Sequence, residues 1–149
     1  MKNIKMANFN MDKCIYYLLS FTWGFIMTFI GIVAAFILLC KGHRPIRWGR
    51  CIYFHTGRRW GGVSLGLVII TDCSSESSIL NHEHGHSIQN AIYGVFFPFI
   101  VAIPSAIRYQ YRRFIQKYTK RILPPYDSIW FERQATEWGN NYIEKGTLR

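Results

Sequence analysis

The chain has 149 residues, which is room for one domain and excludes two independent cores. Half of the residues are hydrophobic and the formal charge is +10. A small soluble enzyme has little use for that pairing, whereas a protein held against anionic headgroups would use it, so a lipid bilayer is the first partner expected.

In chain order, residues 1–14 read as an amino-terminal tail. From Ile15 to Leu39 no charged residue occurs, a run longer than the roughly twenty residues that cross a hydrocarbon core, so residues 15–40 are predicted to form one transmembrane helix. The run is too long for a signal-peptide core, no small-x-small cleavage site follows it, and Leu39 before Cys40 does not suit a lipoprotein anchor. Lys2, Lys5 and Lys13 precede the run, while Lys41, Arg44, Arg47, Arg50, Arg58 and Arg59 follow it. The heavier basic flank stays inside, which predicts a single-pass membrane protein with the bulk of the chain cytoplasmic. Residues 41–60 form a basic juxtamembrane segment. Cys14, Cys40, Cys51 and Cys73 make no C-x-x-C pair, which argues against a thiolate metal site and fits reduced thiols.

Residues 61–149 hold the rest of the domain. The run VSLGLVII, between Gly61-Gly62 and Thr71-Asp72, reads as a strand, and Gly66 within it marks the approach of another backbone. The polar stretch Cys73 to Ser78 is a loop whose serines offer N-caps for a helix from Ser77 to Tyr93, ended by Gly94. That helix carries His82-Glu83-His84-Gly85-His86. Four residues apart, His82 and His86 project from one face and can grip one metal ion, while Glu83 lies at the edge of that face, placed to accept a proton from water in a hydrolysis. His84 points away, toward a supporting or solvated position. Gly85 costs helix stability, which a closely packed strand, the Trp60 to Asp72 segment, would explain.

A catalytic zinc takes three protein ligands and keeps a fourth position open. No histidine follows His86, so the third donor is sought among carboxylates. Glu132 is favoured, one turn into a helix predicted to start at Asp127 or Ser128 after Pro124-Pro125, because a carboxylate among apolar neighbours is costly to bury unless something binds it. Glu137 ranks second and Asp127 third. His43 and His55, in the basic segment, read as solvated.

H-E-x-G-H followed by a glutamate in E-x-x-A on a later helix resembles the gluzincin branch of zinc metallopeptidases. More narrowly, NHEHGHSIQN, IPSAIR and YDSIWFERQAT are similar to small bacterial membrane proteins with an H-E-aromatic-G-H core. The resemblance covers Gly61 to Gly139 and implies zinc held by His82, His86 and Glu132, with Glu83 as catalytic base. Many gluzincins place an aspartate four residues after the ligand glutamate, where this chain has Thr136. No downstream histidine is present to stabilise an oxyanion, which leaves Tyr109, Tyr126, Tyr142 or Arg133 for that role.

Residues 94–107 are apolar but short and proline-containing, and are predicted to dip into the membrane or join the core rather than cross. Beyond them Ile107, Tyr111, Phe114, Ile115, Tyr118 and Ile122 share one helical face, with Arg108, Arg112, Arg113, Lys117 and Lys120 mostly on the other. This amphipathic basic helix suits the headgroup plane, the alternative being a helix whose apolar stripe packs on the core and whose basic face is solvated. No nucleic-acid-binding signature is present, so nucleic acid is not an expected partner. The expected architecture is mainly α, one amino-terminal transmembrane helix plus a small zincin-like α+β domain. The expected function is zinc-dependent hydrolysis of a protein or peptide near the membrane surface, the alternative being a non-catalytic membrane-bound zinc-binding or accessory protein.

Overall fold

The computed structural model describes residues 11–57, 60–72, 76–119 and 121–146, the last four by their backbone alone. Lys2, Lys5, Arg58, Arg59, Cys73 and Lys120, which entered the charge, thiol and loop readings, lie outside the described residues. The architecture is mainly helical with a small four-stranded mixed sheet.

The apolar run does not form one transmembrane helix. Helix α1 (Lys13–Thr22), capped by the Asp12 carboxylate on the Cys14 N–H, meets α2 (Phe25–Cys40) at a bend of 88°. No single helix among the described residues is long and apolar enough to cross a membrane, although α1 with α2 has the length and composition together. The break is held by tertiary contacts that hydropathy cannot register. The Asn90 side-chain amide donates to the Gly24 carbonyl at 3.2 Å, Trp23 Nε1 donates to the Ile92 carbonyl at 3.1 Å, and Thr28 Oγ1 donates to the Ser20 carbonyl at 2.8 Å. A Cβ on Gly24 would sit 2.7 Å from the Asn90 amide nitrogen, too close to be accommodated in place.

The segment expected to be a juxtamembrane stretch contains half of the sheet. β1 (Ile46–Trp48) and β2 (Cys51–His55) form a hairpin in which Trp48 faces Cys51 across Gly49-Arg50. The single strand expected over VSLGLVII is a second hairpin, β3 (Gly62–Leu65) and β4 (Val68–Thr71), turned at Gly66 with φ of 64°. That left-handed conformation favours glycine. Another backbone does come close to Gly66, that of Thr28 in α2, 2.6 Å from where a Cβ would lie. The sheet order is β1-β2-β4-β3, with only β2 and β4 parallel, so β3 is an edge strand. Its apolar, β-branched neighbour β4 is buried on both faces, as an interior strand should be.

Helix α3 (Ser77–Tyr93) runs as its spacing predicts and ends at Gly94, but Glu76 rather than a serine occupies its N-cap and makes no side-chain cap. A 3-10 turn (Gly94–Phe96) and a π turn (Pro98–Ala102) lead into α4 (Ile103–Tyr118), bent by 117° from the α3 direction. In this apolar connection Phe97 and Val101 are buried, packed with Met27 and Phe131, while Phe96 and Phe99 face outward. Helix α5 (Trp130–Gly146) starts later than expected, because Tyr126–Ser128 forms a 3-10 turn and Ile129 is extended. It is α5, not the strand segment, that packs on Gly85. A Cβ there would overlap the Ala135 carbonyl, and one on Gly139 would overlap the Asn81 carbonyl. The two glycines let α3 and α5 cross with their backbones nearly touching.

Candidate metal centre

The close crossing of α3 and α5 decides what stands between them. Glu132, fully buried on the first turn of α5, points its Oε2 between the two motif histidines, 3.0 Å from His82 Nε2 and 3.2 Å from His86 Nε2. One donor atom from each of these residues lies within 4.8 Å of the other two. Glu137, half-buried, and Asp127, exposed, do not join the cluster. His55 is instead bonded through Nδ1 to the Asp72 carbonyl at 3.0 Å, and His43 sits in the turn after α2.

The protons can be assigned from the surrounding network. Gln89 Nε2 donates to the Phe131 carbonyl at 2.8 Å and to Gln134 Oε1 at 2.9 Å, which turns Gln89 Oε1 toward His86 Nδ1 at 2.8 Å. His86 Nδ1 must therefore carry the hydrogen. Thr136 gives its hydroxyl hydrogen to the Glu132 carbonyl at 3.1 Å, so its oxygen accepts from His82 Nδ1 at 2.9 Å. When neutral, each ring then presents a bare Nε2 lone pair to a carboxylate oxygen, three acceptors converging on one point. Glu132 Oε1 is also buried with no partner. Such an arrangement calls for positive charge at its centre.

A metal ion supplies that charge without extra protons. Two imidazole nitrogens and a carboxylate oxygen are a zinc donor set, and at ligand distances of about 2.0–2.2 Å tetrahedral neighbours stand about 3.3 Å apart, close to the separations from Glu132 found here. The residues therefore fit a divalent ion of the zinc type. Gln89 and Thr136 complete the fit by fixing the tautomer and ring orientation of each histidine. Thr136 takes the position where the resemblance would place an aspartate. Gln89 escaped sequence reasoning, although its place three residues after His86 on the same helix was a usable signal.

The electrostatics follow the same geometry. Burial raises the Glu132 carboxyl, but His82 and His86, when their Nε2 atoms carry protons in place of a metal ion, outweigh it by hydrogen bonding and charge and hold the group well below the ordinary range. His86 is lowered by burial and raised further by Glu132, Glu83 and Gln89, ending above its usual value. Glu83 is buried, which pushes its carboxyl up; His86 and His82 oppose that push and Glu132 adds to it.

Glu83 and His82 lie where two lobes of one cleft meet, about 480 Å³ and 570 Å³ in volume, both bordered by Gly62, Tyr109, Arg113 and Tyr126. Of the four oxyanion candidates, Tyr142 is engaged elsewhere with Arg50, and Arg133 is exposed and bonded to the Ser128 carbonyl. Tyr109 reaches the cleft but gives its hydroxyl to the Trp60 carbonyl. Tyr126 remains, its ring edge-on to His82 and its hydroxyl 3.3 Å from Ser105 Oγ. Burial pushes that hydroxyl up to about 12, so it stays a donor at neutral pH.

His84 lies on the opposite side of α3, fully buried and stacked on Tyr142, with Nε2 accepting from the Arg50 N–H at 3.4 Å. Burial first, and the Arg50 charge second, lower it to about 4, so it is neutral and takes no part in the cluster. Comparison with protein-family models, curated proteins and solved structures gave no match to this chain.

Proposed function

We propose that the protein is a zinc-dependent peptidase acting at a membrane surface, with His82, His86 and Glu132 as ligands and Glu83 as general base. The observation that carries the reading is the convergence of two Nε2 lone pairs and a buried carboxylate beside a second, unligated carboxylate that faces the same cleft. A purely structural metal needs no base beside it. Bound there, a divalent ion supplies Lewis acidity toward a peptide carbonyl and toward water. Glu83, made more basic by its burial, accepts the proton of the attacking water and passes it to the departing amine. Tyr126 offers its O–H to the oxygen on which negative charge develops. The edge strand β3 borders the cleft from Gly62 to Leu65 and gives an extended peptide a backbone to lie along.

The membrane part of the reading is supported by surface composition. Leu18, Phe29 and Phe36 on α1 and α2, and Ile107, Phe114 and Tyr118 on α4, are each at least 60% exposed. No residue of α4 is buried, so its apolar stripe is not spent on the core. Lipid is the solvent that suits such faces, and the adjoining Lys and Arg residues suit anionic headgroups on the cytoplasmic side. The enzymatic reading is tested by digesting a broad peptide library with zinc-loaded protein in lipid. Cleavage should fall on the order of a hundred- to ten-thousand-fold in Glu83→Gln. An inert wild type that still holds zinc would leave a metal-binding accessory protein.

A further inference from the structure

The two lobes of the cleft differ in chemistry. One lies among α2, β3, the π turn and α4, and the residues that it alone contributes are mostly apolar, among them Met27, Leu65, Phe97, Val101, Ala102 and Ala106, with Ser64, Ser105 and Gln110 as polar exceptions. The other lies among α3, α4 and α5 and carries Ser78, Arg112, Gln116, Asp127, Thr136 and Asn140. They meet at His82 and Glu83, where a bond to be cut would rest. The elements that supply Met27, Phe97 and Val101 to the apolar lobe, α2 and the π turn, also expose Phe25, Phe29, Phe99 and Ile100, so they carry apolar side chains both inward and outward.

Resting on the peptidase reading, we infer that the substrate is a membrane polypeptide held where its apolar segment gives way to polar chain, apolar residues in the first lobe and polar residues in the second. A wholly polar peptide would leave the first lobe unfilled. A continuous apolar segment would strip water from Arg112, Asp127 and Asn140 without replacing its hydrogen bonds. Each large apolar side chain buried in the first lobe is worth about ten- to a hundred-fold in binding.

The test uses full-length Glu83→Gln protein, which should hold substrate uncut, in vesicles of phosphatidylcholine and phosphatidylglycerol. The probe is a synthetic peptide with an apolar half, a Ser/Asn/Asp-rich half and a photoreactive group at the junction; a peptide of the same composition with the two kinds of residue interspersed is the control. The junction peptide should label the cleft at least tenfold more strongly than the control. Ala102→Trp or Ala106→Trp, added to fill the apolar lobe, should reduce labelling about tenfold with zinc content unchanged. Loss of zinc marks a variant whose folding is disturbed, and labelling is then read from the other variant. Equal labelling by both peptides, labelling by neither, or labelling untouched by a folded lobe-filling variant overturns the inference. Cleavage by wild type is scored separately. Equal cleavage of both peptides removes this substrate class and leaves the peptidase reading, whereas selective labelling with no cleavage removes the peptidase reading and leaves the ligand class.

Discussion

Gln89 and Thr136 illustrate how much of a candidate metal site lies outside the residues that could ligate the ion. Each receives the Nδ1 hydrogen of one histidine and thereby aims the opposite nitrogen at Glu132. Gln89→Leu or Thr136→Val should lower zinc affinity about ten- to a hundredfold, measured by competition with a chromogenic chelator, while the fold persists. His84 gives a prediction of another kind. It titrates at about 4 in the folded chain against 6.5 for the free side chain, so between those values the unfolded chain binds more protons. Its contribution is full above about pH 6.5 and is lost as pH falls toward 4. Between pH 7 and pH 5 the wild type should lose about 2 kcal/mol more stability than His84→Phe, which keeps the stack on Tyr142. Denaturant titrations in detergent at the two pH values measure the difference, and parallel losses would show that the ring does not titrate as its burial requires.

Helices α3 and α5 show what sequence periodicity does and does not reveal. The span Ser77–Tyr93 and its stop at Gly94 were legible because the helix carries its own end signal. Glu132 stood out because a carboxylate beside Phe131, on an apolar turn, calls for a partner. What periodicity could not reveal was the element lying across Gly85, since that depends on Ala135, fifty positions away in the chain. The broken helix at Gly24 and the hairpin of β1 and β2 were hidden for a related reason. Apolar composition masked a bend held by Asn90 and Trp23, and the run of basic residues masked strands that pair with partners elsewhere. Gly85→Ala and Gly139→Ala test the crossing. Alanine gains about 1 kcal/mol of helix propensity over glycine, yet each Cβ would force the backbones apart, at a cost of about 1–3 kcal/mol for overpacking. Both variants should melt lower than wild type and bind zinc more weakly; a higher melting temperature would mean that the helices do not touch there.

Taken as one body, the protein exposes apolar helix faces around a polar, metal-competent centre. Lys117, exposed near the end of α4, stands over the ring of Tyr118, and Arg121, past the end of that helix, is exposed as well. Lys117→Glu with Arg121→Glu should weaken binding to vesicles containing anionic lipid, most at low salt where screening is least. Flotation assays at two ionic strengths read this directly, and unchanged binding would assign α4 a protein partner rather than lipid.

The zinc-affinity and peptidase expectations depend on a cation between α3 and α5, so elemental analysis of purified protein is the decisive observation. Wild type and Glu83→Gln should each carry about one zinc per chain, while His86→Ala and Glu132→Ala should lose most of it. A wild type without metal, or zinc kept in full by both ligand variants, would show that the converging lone pairs of His82, His86 and Glu132 are reconciled by protons alone.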